Sequence, residues 1–277
     1  MTTHEPSPEE RKPDPAKAMI GFGILLTGMV LIFWNSGLLR FQLQPELIST
    51  AGKDQDALFY MILWVTGITF FITFGLLCYF LVRYRARPGG KALHQHGNHK
   101  LELAWTFVPG LILFLLAIWQ TNVWAKIKYA KNFPQPPEAV VVQVIGKQFE
   151  WHFRDPGKDG EFGTEDDLTT LAELHIPINT KILCRMRSLD TLHSFWIPNA
   201  RAKQDIQPNM TIPLWFDSTK LGNWQISCAE YCGVGHTKMA ATLIVHTEAD
   251  YKAWQQKHLK EFGLHDPELH KVWKFWR

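Results

Sequence analysis

Three stretches without a charged residue, Ala18 to Leu39, Ala57 to Val82 and Leu103 to Ala125, constrain this 277-residue chain more than any other feature. Each is long enough to cross a bilayer core of about 30 Å, which takes roughly 17 to 25 helical residues. The second and third carry Trp or Tyr near an end, where amphipathic rings favour the interface, so both are expected to span. The first, as far as Trp34, holds three glycines and follows Arg11, Lys12 and Lys17, a pattern shared with secretion signals. No small-residue cleavage site stands convincingly behind it, and it is expected to remain as an additional helix.

Basic residues are retained on the cytoplasmic side, so the short loops set the orientation. Arg11, Lys12, Lys17, Arg83, Arg85, Arg87, Lys91 and Lys100 make eight on one side, against five (Arg40, Lys53, Lys126, Lys128 and Lys131) on the other. That bias puts the basic loop inside and everything after residue 126 outside, so the large polar part is expected to be periplasmic or otherwise extracytoplasmic. Composition closes two other classes. Hydrophobic residues at 46% and charged residues at 20% exclude a disordered chain. A net charge of +3, from 29 basic and 26 acidic residues, lacks the basic footprint of a nucleic-acid binder.

Beyond the proline-rich bend at 132–137 the pattern changes to period two. Val140, Val142 and Val144, then Phe149, Trp151 and Phe153, alternate as half-buried strands do. Further short strands are expected over 171–176, 181–187, 211–216, 223–227 and 241–245, which together describe a β-sandwich or barrel. The stretch 155–167 packs six acidic residues among three glycines and fits a calcium loop poorly, so it is expected to be a solvated hairpin turn. The tail from Glu248 reads as a helix capped by Thr247, with Asp250 three residues on.

Chemistry concentrates in CAEYCGVGHTKM, residues 228–239, which gathers Cys228, Cys232, His236 and Met239 before the last strand. His193 lies earlier, in HSFWIP. Thiolate, imidazole and thioether donors together suit copper, whereas calcium and magnesium prefer oxygen. A mononuclear blue-copper site uses one Cys, so the second thiolate points to two coppers bridged by sulfur. Structural zinc and a simple disulfide remain the alternatives, although neither employs Met239. Cys78, in an apolar segment, and Cys184, in a strand, read as buried small hydrophobes.

On these residues the chain resembles subunit II of the haem-copper cytochrome c oxidases, over roughly residues 55–250. The resemblance implies a transmembrane α-helical hairpin followed by an all-β cupredoxin-like sandwich carrying the binuclear copper centre CuA. Its ligands fall on His193, Cys228, Cys232, His236 and Met239, with the Glu230 carbonyl as the sixth donor. His193 and Met239 would complete one copper, and His236 and Glu230 the other. Three further roles follow by similarity: the Glu230 side chain to a magnesium shared with subunit I, Glu102 to the mouth of a proton path, and Asp190 to the face where cytochrome c docks. The partners implied are haem-containing subunit I, subunit III, a c-type cytochrome donor and membrane lipid, in a bacterial inner membrane.

Two departures stand out. The family places a tryptophan at the position of Phe149 to accept electrons; here Phe149, Glu150 and Trp151 follow one another, and Trp151 is the candidate substitute. The additional first helix lies outside the common two-helix pattern. Phe195, Trp196 and Trp224 are candidates for a dry aromatic surround. With no CxxCH sequence for a fused c-type haem, a separate donor is required. A quinol oxidase subunit would lack the copper ligands, and nitrous oxide reductase would need a larger soluble chain. A CuA-bearing nitric oxide reductase subunit and a membrane-anchored copper-binding module are the remaining rivals. The expected organisation is a cytoplasmic tail over 1–17, the additional helix over 18–39, the helical hairpin over 55–126, the cupredoxin-like CuA domain over 138–247 and a helical tail over 248–277.

Overall fold

A computed structural model describes residues 44–85, 96–164 and 166–262, with a few isolated positions besides. The segment expected to form the additional first helix, 18–39, falls almost wholly outside the described residues, as does the tail beyond 262 apart from Trp273.

Two helices, α1 (Gly52–Arg83) and α2 (His99–Lys128), contain the second and third apolar stretches. At 32 and 30 residues, and about 1.5 Å per residue, each exceeds the hydrocarbon thickness of a bilayer. Their most apolar windows have a mean hydropathy of 2.1 and are almost entirely exposed, unlike the core helix of a soluble domain. The hydroxyls of Thr66, Thr69, Thr73 and Thr121 donate to carbonyls one turn back, each at 2.8 Å, so none of these four is left open to an apolar solvent.

The polar part is a sandwich of two five-stranded mixed sheets. One sheet runs β3 (Leu168–Leu171), β2 (Glu150–Asp155), β1 (Ala139–Lys147), β5 (Lys181–Ser188), β8 (Ile212–Asp217). The other runs β4 (Glu173–Pro177), β10 (Ala240–His246), β9 (Gly222–Cys228), β6 (His193–Ile197), β7 (Ala202–Ile206). β1 pairs parallel with β5 and β10 parallel with β4, while the other pairings are antiparallel. Val142, Val144, Trp151 and Phe153 from one sheet meet Phe195, Ile197, Ile226 and Leu243 from the other in a continuous core. This is a cupredoxin-like sandwich.

The expected strand over 171–176 is in fact two. Ala172, at φ 59°, turns the chain from β3 in one sheet to β4 in the other. Such a left-handed step is uncommon for a residue with a Cβ, and it lets one apolar run serve both sheets. The sequence reading also passed over β6 and β7.

A short segment ahead of α1 is built into the sandwich. Ile48 is wholly buried in its core, its N–H donating to the Asn199 carbonyl at 3.0 Å. Thr50 Oγ1 donates to Asp217 at 2.6 Å, and Arg201 grips Asp56 through two bonds of 2.7 and 3.0 Å. Arg201 sits in the turn joining β6 to β7, so the strand that begins at His193 is held from its far end.

The capping expected for the C-terminal helix is present: the Asp250 N–H donates to Thr247 Oγ1 at 3.1 Å, at the start of α3 (Glu248–Phe262). The acidic loop 155–167 joins the antiparallel β2 and β3 as the hairpin turn expected, and its tip at 158–161 is exposed. Several of its carboxylates also bind the chain itself: Asp166 accepts the Lys158 and Asp159 N–H groups, Asp167 accepts Gly163 N–H and Arg154, and Asp155 accepts Gly157 N–H. Tyr251 and Gln255 of α3 also donate to Asp155, so loop and helix form one unit.

Candidate metal centre

The loop between β9 and β10 is closed at its neck by the Cys228 N–H, which donates to the Met239 carbonyl at 3.1 Å. Antiparallel pairing of β9 and β10 thus holds Cys228 and Met239 side by side, while Ala229 N–H donates to the Ser194 carbonyl and ties the loop to β6. On β6 the neighbour of Cys228 is Phe195, two residues after His193. Alternation along that strand points His193 and Phe195 inward and leaves Trp196 partly exposed. Trp196 is therefore not part of a dry surround; Phe195 is, and Trp224 packs against the core from a half-buried position.

The donor atoms converge. Cys228 Sγ lies 3.9 Å from Cys232 Sγ, 3.9 Å from His193 Nδ1 and 3.2 Å from the Glu230 carbonyl oxygen. Cys232 Sγ lies 3.6 Å from His236 Nδ1 and 3.8 Å from Met239 Sδ. At 3.9 Å the sulfurs are not bonded, since a disulfide closes to about 2.05 Å. His193, Cys228, Cys232 and Met239 are buried; His236 and Glu230 are half-buried.

Burial alone would raise the Cys228 thiol, yet hydrogen bonds from His193 and from the loop backbone bring it down to about 6. Burial and the neighbouring Cys228 push Cys232 up to about 11. A metal-free pair therefore favours one thiolate, and a cation that took both sulfurs would displace the remaining proton.

The rim is equally specified. His193 Nε2 lies 2.8 Å from Asp190 Oδ1, leaving Nδ1 toward the sulfurs. Asp190 in turn accepts the Gln148 N–H at 2.6 Å and the Thr191 N–H at 2.7 Å. Burial works against its charge, but these bonds hold the carboxyl below the usual carboxylate range. Gln148 Nε2 also donates to the Cys232 carbonyl at 2.6 Å. Beside it Phe149 lies flat beneath the loop: a Cβ on Gly235 would fall 2.4 Å from its ring, and one on Gly233 3.1 Å. The sequence reading missed Gln148 and both glycines.

Trp151 is wholly buried, 6.0 Å edge-on to His193, so it packs beneath the site and offers no surface to a donor. Glu102 lies on α2, far along the chain from the centre, where its carboxylate accepts the Asn98 N–H at 3.3 Å and meets His99 at 3.2 Å. That is the capping contact of a helix N-terminus.

A second pair of histidines sits on the sheet of β4 and β10. His175 Nδ1 lies 2.8 Å from His246 Nε2, and the His175 ring stacks on Trp254 of α3 at 4.1 Å. Burial pushes His175 down to about 4. No sulfur approaches it among the described contacts.

A mixed β-sandwich with thiolate, imidazole and thioether donors gathered at one end, joined to apolar helices, is a membrane-anchored cupredoxin with a site suited to copper. The chain belongs to the cytochrome c oxidase subunit II family: the model of the family's periplasmic domain matches residues 140–246, and that of its transmembrane domain residues 39–123. An alternative cytochrome c oxidase subunit 2 of Bradyrhizobium diazoefficiens is 30% identical over 233 residues, covering 73% of this chain and 79% of its own. A quinol oxidase subunit 2 of Bacillus subtilis is 27% identical, over 72% of this chain and 60% of its own. The periplasmic domain of subunit II of cytochrome oxidase from Bradyrhizobium japonicum aligns with 46% of this chain and 99% of its own, at 22% identity and a TM-score of 0.42.

Proposed function

We propose that this chain is the electron-accepting subunit of a terminal cytochrome c oxidase, holding a binuclear copper centre on the outer face of a bacterial inner membrane. The observation that carries this reading is the convergence of two unbonded sulfurs, two imidazole nitrogens, a thioether and a carbonyl oxygen in one loop-and-strand pocket. Family membership alone does not decide the donor, because a relative is named a quinol oxidase; the complete set of soft donors favours copper and a cytochrome.

His193 and Met239 would hold one copper, His236 and the Glu230 carbonyl the other, with both thiolates shared. Bound there, the pair would supply one-electron relay with little change at either metal. The protein's part is to hold the donors still. Asp190 orients His193, Gln148 fixes the Cys232 carbonyl, and Phe149 supports the loop from below, so the same geometry serves both redox states. Trp151 and Phe195, edge to face at 5.2 Å, keep the inner side dry.

From there the electron would pass to haem in subunit I, where oxygen would be reduced and protons pumped, with subunit III completing the assembly. The half-buried Glu230 is suited to a magnesium shared with subunit I, and Glu102 to proton uptake at a helix start. The sandwich over 138–247 is the copper domain, the hairpin over 55–126 its anchor, and 1–17, 18–39 and 248–277 are additions to that plan.

Copper counting on the purified full-length chain tests the proposal. Two coppers per chain are expected, falling to none with intact helix and strand content in Cys228→Ser. One zinc in the wild type, or retention of both coppers in the variant, contradicts it.

A further inference from the structure

The metal loop exposes two large apolar side chains that its own packing does not require. Tyr231, between Glu230 and Cys232, is 74% exposed, and Val234 is 97% exposed. The Tyr231 ring meets the half-buried His236 imidazole edge to face, centroids 5.8 Å apart and planes at 62°. His236 Nδ1 is in turn 3.6 Å from Cys232 Sγ. An aromatic ring therefore reaches from solvent to an imidazole of the donor set in a single contact.

Other aromatic routes into the site are poorer. Trp151 is wholly buried, and Phe149 lies under the loop with its ring against Gly233 and Gly235. The acids flanking the rim are also occupied: Asp190 is taken by Gln148, Thr191 and His193, and Glu150 by Lys147 at 3.0 Å and His152 at 2.9 Å. The exposed large apolar side chains of this loop are Tyr231 and Val234, and Tyr231 is the one that meets a donor imidazole.

Resting on the relay function proposed above, we infer that Tyr231 is the contact over which the electron donor seats, its ring bridging the donor's exposed haem edge and His236. The occupant fitted by this lip is a c-type haem protein whose haem edge lies in an uncharged, apolar face. One electron leaves the donor's ferrous haem, which becomes ferric, and is taken up at the copper centre. No bond forms or breaks, no proton moves, and Tyr231 is not oxidised. An exposed aromatic in such a place is the type of residue that dominates binding at interfaces.

The test uses the full-length chain in its assembled complex, with reduced soluble cytochrome c as the probe. Two quantities are read: the dissociation constant, on both copper-loaded and copper-free protein, and the rate of electron uptake by stopped flow. Tyr231→Ala is expected to weaken binding to both forms by about tenfold or more and to slow uptake, with the copper absorption spectrum unchanged. Tyr231→Phe, which keeps the ring, is expected to match the wild type in both. Wild-type binding and uptake in Tyr231→Ala would overturn the inference, as would a Phe variant as defective as the Ala variant. If the wild type accepts no electron because it holds no copper, the relay function itself fails, an outcome visible before any variant is made.

Discussion

The sandwich contains two pairs of histidines, and they are put to opposite uses. His193 and His236 face sulfur. Each imidazole has a thiol within 3.9 Å, and the far nitrogen of His193 is fixed by a carboxylate. His175 and His246 face each other and the flat of Trp254. Burial acts on both His175 and His193, lowering the first to about 4, whereas hydrogen bonds to Cys228 and Asp190 leave His193 above the ordinary value. Both His175 and His193 also have a carboxylate partner, Glu173 at 3.3 Å and Asp190 at 2.8 Å, so it is the neighbouring sulfur that separates the donor pair from the packing pair.

Losing the carboxylate that orients a ligand should blur this distinction most. Asp190→Asn is expected to lower copper affinity by about 10- to 100-fold, measured by competition with a chelator, because the imidazole loses its anionic partner. The equivalent change on the other pair, Glu173→Gln, should leave copper affinity unmoved.

The support beneath the loop comes next. Gly235→Ala places a methyl where the Phe149 ring lies, and such overpacking typically costs about 1–3 kcal/mol. Denaturant melts of the full chain should show that loss together with reduced copper occupancy. An unchanged melting curve would mean that Phe149 does not hold the loop.

The smallest effect is in pH. His175 takes its proton far more readily when the chain is unfolded, near 6.5, than when folded, at about 4. Its contribution is therefore complete above about pH 6.5 and is lost progressively as pH falls toward 4. Melts at about pH 7.5 and about pH 4.5 should show a loss of stability on acidification that is smaller in His175→Gln.

What was legible beforehand follows from range along the chain. Cys228, Cys232, His236 and Met239 sit within one loop, so the softness of the set could be read directly, and period-two alternation exposed β1 and β2. The five-residue strand that begins at His193 was hidden, because HSFWI is short and closes on Pro198. Ile48 was invisible as core: the hydroxyl that donates to its carbonyl belongs to Thr219, 171 residues away, and its neighbours along the chain lead into an apolar helix. Trp151 is buried and Trp196 exposed, the reverse of what their expected places required, because strand parity, not residue type, decides which ring faces inward. The bonds inside the acidic loop were not legible because its carboxylates accept from backbone N–H groups, which composition does not display.

Electron paramagnetic resonance of the purified, copper-loaded full-length chain tests the central claim most directly. The account predicts the spectrum of one unpaired electron shared equally between two coppers. A spectrum of electrons localised on single coppers, or a silent zinc-loaded protein, would contradict it.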